Sequence, residues 1–183
     1  MTTSTSLDGR IAQAWGGTNP HGVHLNVVLA ARGSATAAAM TATFSAPATG
    51  FTPILVCVGP DQPSYETINP PTIMLNKMVV DSDTMSSLVA GACQVGIAQG
   101  VLDSVAEDLL IADQETIVFV SVWVNPQAND ADSVRAAARQ ATGTSIREAV
   151  AGPPPQGLRR LVRDRETLTH PFYLAAAETP ENL

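Results

Sequence analysis

His24 and Lys77 are the side chains of this sequence best suited to moving a proton or engaging an electrophile. An imidazole titrates near neutrality, so His24 can give or take a proton at cellular pH. A histidine near a strand start can equally be a hydrogen-bonded structural residue. Lys77 is the only lysine in the chain and lies inside an apolar segment. It reads either as an edge residue that blocks sheet pairing, as a fixed cation beside an anionic or carbonyl group, or as an amine nucleophile. The other histidines, His21 and His170, lack clustered carboxylates, so the pattern does not specify a metal site. Cys57 and Cys93 sit in apolar segments without zinc-type spacing and read as buried free thiols.

These residues must be positioned by one domain-sized core of 183 residues. Residues 1–8 are Ser/Thr-rich, lack a signal-peptide pattern and are expected to be disordered; residues 9–152 form the domain, and 153–183 a tail with a His170-Pro171-Phe172 anchor. A strand is expected at Arg10–Trp15 and another at Val23–Leu29, where His24, Asn26 and Val28 share one face and Leu25, Val27 and Leu29 the other. Ser34 should cap a helix over Ala35–Phe44. A short strand at Pro53–Val58 reads as buried on both faces, followed by a Pro-rich loop over 59–71. On a strand at Thr72–Val80, Ile73, Leu75, Lys77 and Val79 share a face. A helix over 84–106 contains Gly91, Gly96 and Gly100, which suit close approach of a neighbour or ligand. Thr116–Val124 is the most strand-like run, and a helix over 130–150 begins near Asn129 or Asp130. The class is α/β (α+β), one sheet covered by helices on one side.

Charge and composition exclude some functions. The net charge is −7 with no basic patch, which argues against nucleic acid as partner. Arg159, Arg160, Arg163 and Arg165 alternate with Asp164 and Glu166 and read as a solvated face. No apolar run reads as a membrane span, so a cytoplasmic location is expected. Only 15% of residues are charged, a low share that points to an oligomer burying surface between copies.

Several motifs in order carry a resemblance. Val23-His24-Leu25-Asn26 followed by Arg32-Gly33-Ser34 is similar to the His-Ile-Asp strand and Pro-Arg-Gly-Ser turn of the formaldehyde-activating-enzyme family. Gly50-Phe51-Thr52-Pro53-Ile54-Leu55 resembles its Gly-His/Phe-Thr strand, and Met74-Leu75-Asn76-Lys77 its Met-Phe-Asn-Lys. Ala92-Cys93-Gln94 falls where the family has Pro-Ala-Gln, and Val122-Trp123-Val124-Asn125-Pro126 at its last strand. The match runs from about residue 22 to 150 and again at His170-Pro171-Phe172.

The resemblance implies a fold like the second domain of ribosomal protein S5, a homopentameric ring, and pterin sites between neighbours. It implies condensation of formaldehyde with tetrahydromethanopterin, or a related reduced pterin, to the methylene derivative and water, with no metal. His24 falls on the family's catalytic histidine, and Leu55, Lys77 and Gln94 on cofactor-contacting positions. Two further such positions depart: Asn26 replaces an aspartate and Val79 a threonine. Both remove polar capacity, through loss of a charge and loss of a hydroxyl. The departures leave open a paralogue using another amine, such as tetrahydrofolate, or a non-enzymatic formaldehyde or one-carbon sensor.

Overall fold

The structure is a computed structural model describing residues 6–46 and 48–170. Pro171 and Phe172 of the expected anchor, and residues 1–5, lie outside the described residues. Contacts divide the chain between Gly152 and Pro153.

Among the described residues, the first unit is built on a five-stranded mixed sheet. Its strands are β1 (Arg10–Gly16), β2 (Val23–Ala31), β3 (Pro53–Leu55), β6 (Thr72–Asn76) and β7 (Thr116–Val124), in the order β1-β2-β7-β6-β3. β6 and β7 run parallel; every other pairing is antiparallel. A separate two-stranded ladder joins β4 (Cys57–Val58) to β5 (Glu66–Thr67). β7 is central because its Val-rich sequence can be buried from both sides.

One face of the sheet carries Val23, Leu25, Val27 and Leu29 of β2, Met74 of β6, and Val118, Val120, Val122 and Val124 of β7, all buried. Two long helices cover this face. One is built from α2 (Asp83–Ser87), a π-helical stretch (Leu88–Cys93) and α3 (Gln94–Ala106); the other is α4 (Ala131–Ala151). The expected continuous helix is therefore interrupted. The wider π turn lets Leu88, Val89 and Cys93 all face the core. Gly96 and Gly100 resolve as sites of helix–helix contact: a Cβ on Gly96 would meet Arg135 O of α4 at 2.3 Å. The composite helix Asp83–Ala106 is long and apolar enough to cross a membrane, contrary to the sequence expectation, but half of its apolar window is buried inside this molecule's own core. Burying a Val, Leu or Ile side chain stabilises by about 1.5–3 kcal/mol, so this layer is the main source of stability.

The other face is not bare, as a one-sided arrangement requires. α1 (Ala35–Phe44) lies over part of it, packing Ala37, Met40 and Phe44 against Val28, Ala30, Ile73 and Phe119. Ser34 caps α1, its Oγ accepting from Ala37 N at 3.0 Å. The expectation of disorder through residue 8 does not hold at Asp8. Its carboxylate accepts from Ser34 Oγ at 2.7 Å and from Ala31 N at 2.9 Å, and these bonds hold its pKa below the usual range.

The segment expected as one doubly buried strand over 53–58 is two short ones. β3 is a sheet edge and Leu55 is 52% exposed. After Val56, Cys57 N donates to Gln94 Oε1 at 3.1 Å, and the chain turns into the β4–β5 ladder. β6 likewise ends at Asn76, four residues early.

In the second unit, α5 (Pro155–Arg163) precedes a turn at Arg165–Thr167. Arg159, Arg160, Arg163 and Arg165 are exposed, the solvated face that their alternation with acids suggests.

Candidate active site

The registers of β1, β2, β7 and β6 place the candidate residues in rows on the face that α1 partly covers. Trp15 pairs with His24, and His24 with Trp123. Lys77 N donates to Val122 O at 2.6 Å, which continues the parallel ladder one step beyond β6 and brings Lys77 to the end of this row. The adjacent row is Gln13, Asn26, Ser121, Leu75 and Pro53. Alternation along β2 accounts for His24 and Asn26 on one side and Leu25 on the other.

The polar side chains close into one chain of hydrogen bonds. Lys77 Nζ lies 2.7 Å from His24 Nδ1 and donates to Asn26 Oδ1 at 2.6 Å. His24 Nε2 lies 2.8 Å from Gln13 Oε1. Ser121 Oγ stands 3.5 Å from Asn26 Oδ1. A charged lysine can only donate, so Nδ1 is then the acceptor; Nε2 carries the ring hydrogen and donates to Gln13. With Oδ1 of Asn26 taken by donors, its Nδ2 is the end left to donate. Burial brings the Lys77 pKa down to about 8, because a half-desolvated ammonium loses part of its hydration.

Two indoles frame this chain. Trp15 and Trp123 have centroids 5.6 Å apart, and Trp15 lies 6.4 Å from the His24 ring. Trp15 Nε1 donates to Gly17 O at 3.1 Å, fixing the ring. Gly22 makes room for it, since a Cβ there would stand 2.2 Å from Trp15 Cζ2. Gln13, Trp15 and Ser121 were not singled out by type or spacing, and Trp123 only as part of a strand motif. The available signal was alternation in β1, which sets Gln13 and Trp15 on one face; the β1–β2 register that aligns them with Asn26 and His24 is set by tertiary pairing.

Asn76 positions Lys77. It is 4% exposed. Its Oδ1 accepts from Thr52 N at 3.2 Å, while Nδ2 donates to Gly50 O at 2.6 Å and to Met78 O. These bonds tie the end of β6 to the 50–52 turn and bend the chain at Lys77.

The remaining predicted residues are not part of this hydrogen-bonded cluster. Val79 lies beyond the strand, so it does not share a strand face with Lys77; it sits against Gly50 and is 52% exposed. Leu55 is on the same face as His24, but three strands across on the far edge. Strand spacing puts their backbones more than about 14 Å apart. Gln94 starts α3, which packs on the opposite face of the sheet, and its amide is used by Cys57 N and by Ala90 O, the latter at 2.6 Å. Cys93 is fully buried and its thiol is pushed up to about 12, so it is inert; Cys57 is half-buried, and both are free. A groove of about 350 Å³ lies along α4 between Asp103, Arg135, Arg139 and Arg147, and His24 does not line it. The His24 cluster is half-buried, with His24, Asn26, Lys77, Ser121 and Trp123 all partly accessible.

Chemically, the arrangement offers a proton donor at Nε2, a proton reservoir at Nζ, an amide and an aromatic wall. That set suits proton transfer to or from a bound substrate. Comparison with known proteins points the same way. Residues 11–173 match the model of the formaldehyde-activating enzyme family. The chain is 30% identical over 169 residues to the 5,6,7,8-tetrahydromethanopterin hydro-lyase of Methanosarcina barkeri, spanning 91% of both chains. It is 23% identical over 163 residues to the bifunctional enzyme Fae/Hps of Methanothrix thermoacetophila, covering 88% of this chain but 40% of that one. With most of its length matched and His24, Asn26 and Lys77 gathered on one sheet face, the chain belongs to the formaldehyde-activating-enzyme family.

Proposed function

We propose that this chain condenses formaldehyde with tetrahydromethanopterin, or a related reduced pterin, to the 5,10-methylene derivative and water, as a cytoplasmic enzyme. The observation that carries this reading is the His24 ring held between Gln13 and Lys77. Formaldehyde is a strong electrophile, and addition of a nitrogen to it needs little assistance. The resulting carbinolamine must lose hydroxide, a poor leaving group. His24 Nε2–H takes that role, with the substrate hydroxyl replacing Gln13 as its acceptor. As Nε2 gives up its proton, Lys77 supplies another at Nδ1, so the imidazole passes a proton without holding two beside an ammonium. General acid assistance of this kind is typically worth about 10²–10⁴-fold. Trp15 and Trp123, inclined at 36° to each other, offer aromatic surface for a ring, and holding both pterin nitrogens near the one-carbon unit adds a proximity term.

Within one protomer Leu55, Val79 and Gln94 stand apart from His24. We place them at the cofactor through assembly: a homopentameric ring would bring the edge of one copy to the open face of the next. The half-exposed Leu55 and Val79, and Trp15 at 47% exposure, support a face that a neighbour covers. Light scattering giving a monomer at micromolar concentration would overturn this arrangement.

Asn26 favours a second reading for the amine. Its amide presents Nδ2–H to the ligand, where a carboxylate would accept from a pterin N–H. A different reduced pterin or a folate would match that change. The decisive measurement follows methylene formation above the spontaneous rate with tetrahydromethanopterin and with tetrahydrofolate in parallel. Acceleration with neither would overturn the enzymatic reading and leave the formaldehyde-sensor alternative.

A further inference from the structure

Lys77 is held in a manner that a simple cation site does not require. An ammonium has three N–H bonds and no lone pair; a neutral amine has two N–H bonds and one lone pair. Nζ meets two acceptors, His24 Nδ1 at 2.7 Å and Asn26 Oδ1 at 2.6 Å. The Nδ1 contact gives the ammonium a neighbouring base to which it can pass one proton, and the Asn26 contact holds an N–H of the resulting amine, whose lone pair becomes available once Nζ rotates. Asn26 is an uncharged amide, so it does not favour the ammonium as a carboxylate at that position would. Partial burial works in the same direction and brings the pKa to about 8, so on the order of a tenth of chains hold the neutral amine at pH 7. Lysines desolvated in this way serve as nucleophiles toward carbonyl compounds.

We propose that Lys77 captures formaldehyde on Nζ and hands the one-carbon unit to the acceptor amine; this deepens, and rests on, the formaldehyde reading above. The step starts as Nζ passes one proton to His24 Nδ1. The Nζ lone pair then forms a bond to the formaldehyde carbon, and the carbonyl π pair moves to oxygen. A second proton shifts from Nζ to that oxygen, giving a carbinolamine. His24 Nδ1–H protonates the hydroxyl, water leaves, and the nitrogen pair forms a methylene iminium. Of the three ammonium protons, two leave with the water and one remains on nitrogen. The positive charge passes to the imidazole with the first proton and returns to nitrogen in the iminium, and no oxidant or reductant is needed. A secondary amine of the acceptor then adds to the iminium carbon. The proton of the added nitrogen moves to Nζ, and Lys77 departs as the neutral amine. The acceptor's second nitrogen closes the ring on the new iminium, and the proton that nitrogen sheds returns Nζ to the ammonium.

Because Lys77 is the only lysine in the chain, trapping reads it directly. The folded protein is treated with formaldehyde and cyanoborohydride without acceptor, then digested; peptide mapping separates Lys77 from the chain's α-amino group. The expected product is N-methyl-lysine at 77. At pH 7 its initial rate should exceed that of a synthetic peptide spanning residues 72–82 by at least about tenfold, given the larger neutral fraction. The rate should rise with pH through a midpoint near 8 and level off about one pH unit higher, where most of the amine is neutral. Acceptor added before the reductant should discharge the label. A rate no greater than the peptide's, or a label the acceptor does not remove, overturns the proposal. Asn26→Asp should lower trapping at pH 7 and move the midpoint upward, and an unchanged profile would count against the neutral cluster. Accelerated methylene formation with Lys77 unlabelled sinks the covalent step and leaves the condensation reading standing. Labelling without acceleration for either acceptor overturns the hand-over together with the condensation reading.

Discussion

The same strands β2, β6 and β7 build two unlike halves on one face of the sheet. Under α1, Val28, Ala30, Ile73 and Phe119 meet Ala37, Met40 and Phe44 in a dry cluster, with Phe44 and Phe119 edge to face at 5.3 Å. One or two rows along, the positions in register are Asn26, His24, Ser121, Trp123 and Lys77, with Gln13 and Trp15 from β1 beside them. The pairing geometry does not change between the halves; the side chains and the cover do. An apolar row closed by a helix supports the fold, whereas a polar row without one can meet a substrate. Substitutions in the two halves should therefore separate activity from stability.

The largest effect is expected at His24. His24→Ala removes the donor at Nε2 and the partner of Lys77 while leaving the buried residues of β2 in place. It should slow enzyme-dependent methylene formation by about 10²–10⁴-fold with little change in thermal midpoint. A wild-type rate in this variant would refute the role given to the ring.

In the covered half the expectation reverses. Phe119→Ala empties a site that is 1% exposed beneath α1. It should cost about 3–5 kcal/mol of unfolding free energy, measured by denaturant melts. Per folded molecule, activity should remain within a few-fold of wild type, on the order of the loss that the neighbouring row transmits. If it fell as far as in His24→Ala, the two halves would not be separable.

Asn76 lies between the two kinds of residue. It is buried, like the covered half, yet it sets the bend that carries Lys77. Asn76→Ala leaves Thr52 N without its partner and Gly50 O with only Val80 N at 3.3 Å, and should cost about 1–3 kcal/mol. It should also lower activity by freeing Lys77, so both readouts move together. Stability lost at unchanged rate would show that Lys77 is placed by its own bonds to His24 and Asn26 alone.

How far the sequence reveals this division follows from the range of each interaction. The opposed faces of β2 are read from alternation alone, which puts His24 and Asn26 together. The cap at Ser34 and the start of α4 at Asp130 are local and are read equally well. The end of β6 is not, because it is set by Asn76 bonding to residues 50–52, more than twenty positions away. Val79 was for that reason expected on a strand face it does not occupy. Similarly, the break between β3 and β4 depends on Gln94 taking Cys57 N. Gln13 and Trp15 enter the site through the β1–β2 register, which no motif in β1 announces.

The smallest expected effect tests the boundary between the halves from the α1 side. Ser34 Oγ accepts from Ala37 N and donates to Asp8, so it fastens both the start of α1 and the segment leading into β1. Ser34→Ala removes the cap and should cost about 1 kcal/mol, within the usual 0.5–2 kcal/mol for such a loss. Asp8 loses the hydroxyl bond that contributes most to lowering its pKa. Its folded value should rise toward the unfolded one, and stability should fall less steeply as the solution is acidified through the carboxylate range. Activity at neutral pH should be unchanged, because α1 covers the half of the face that His24 does not occupy. A variant that kept its stability but lost activity would place the start of α1 in the site.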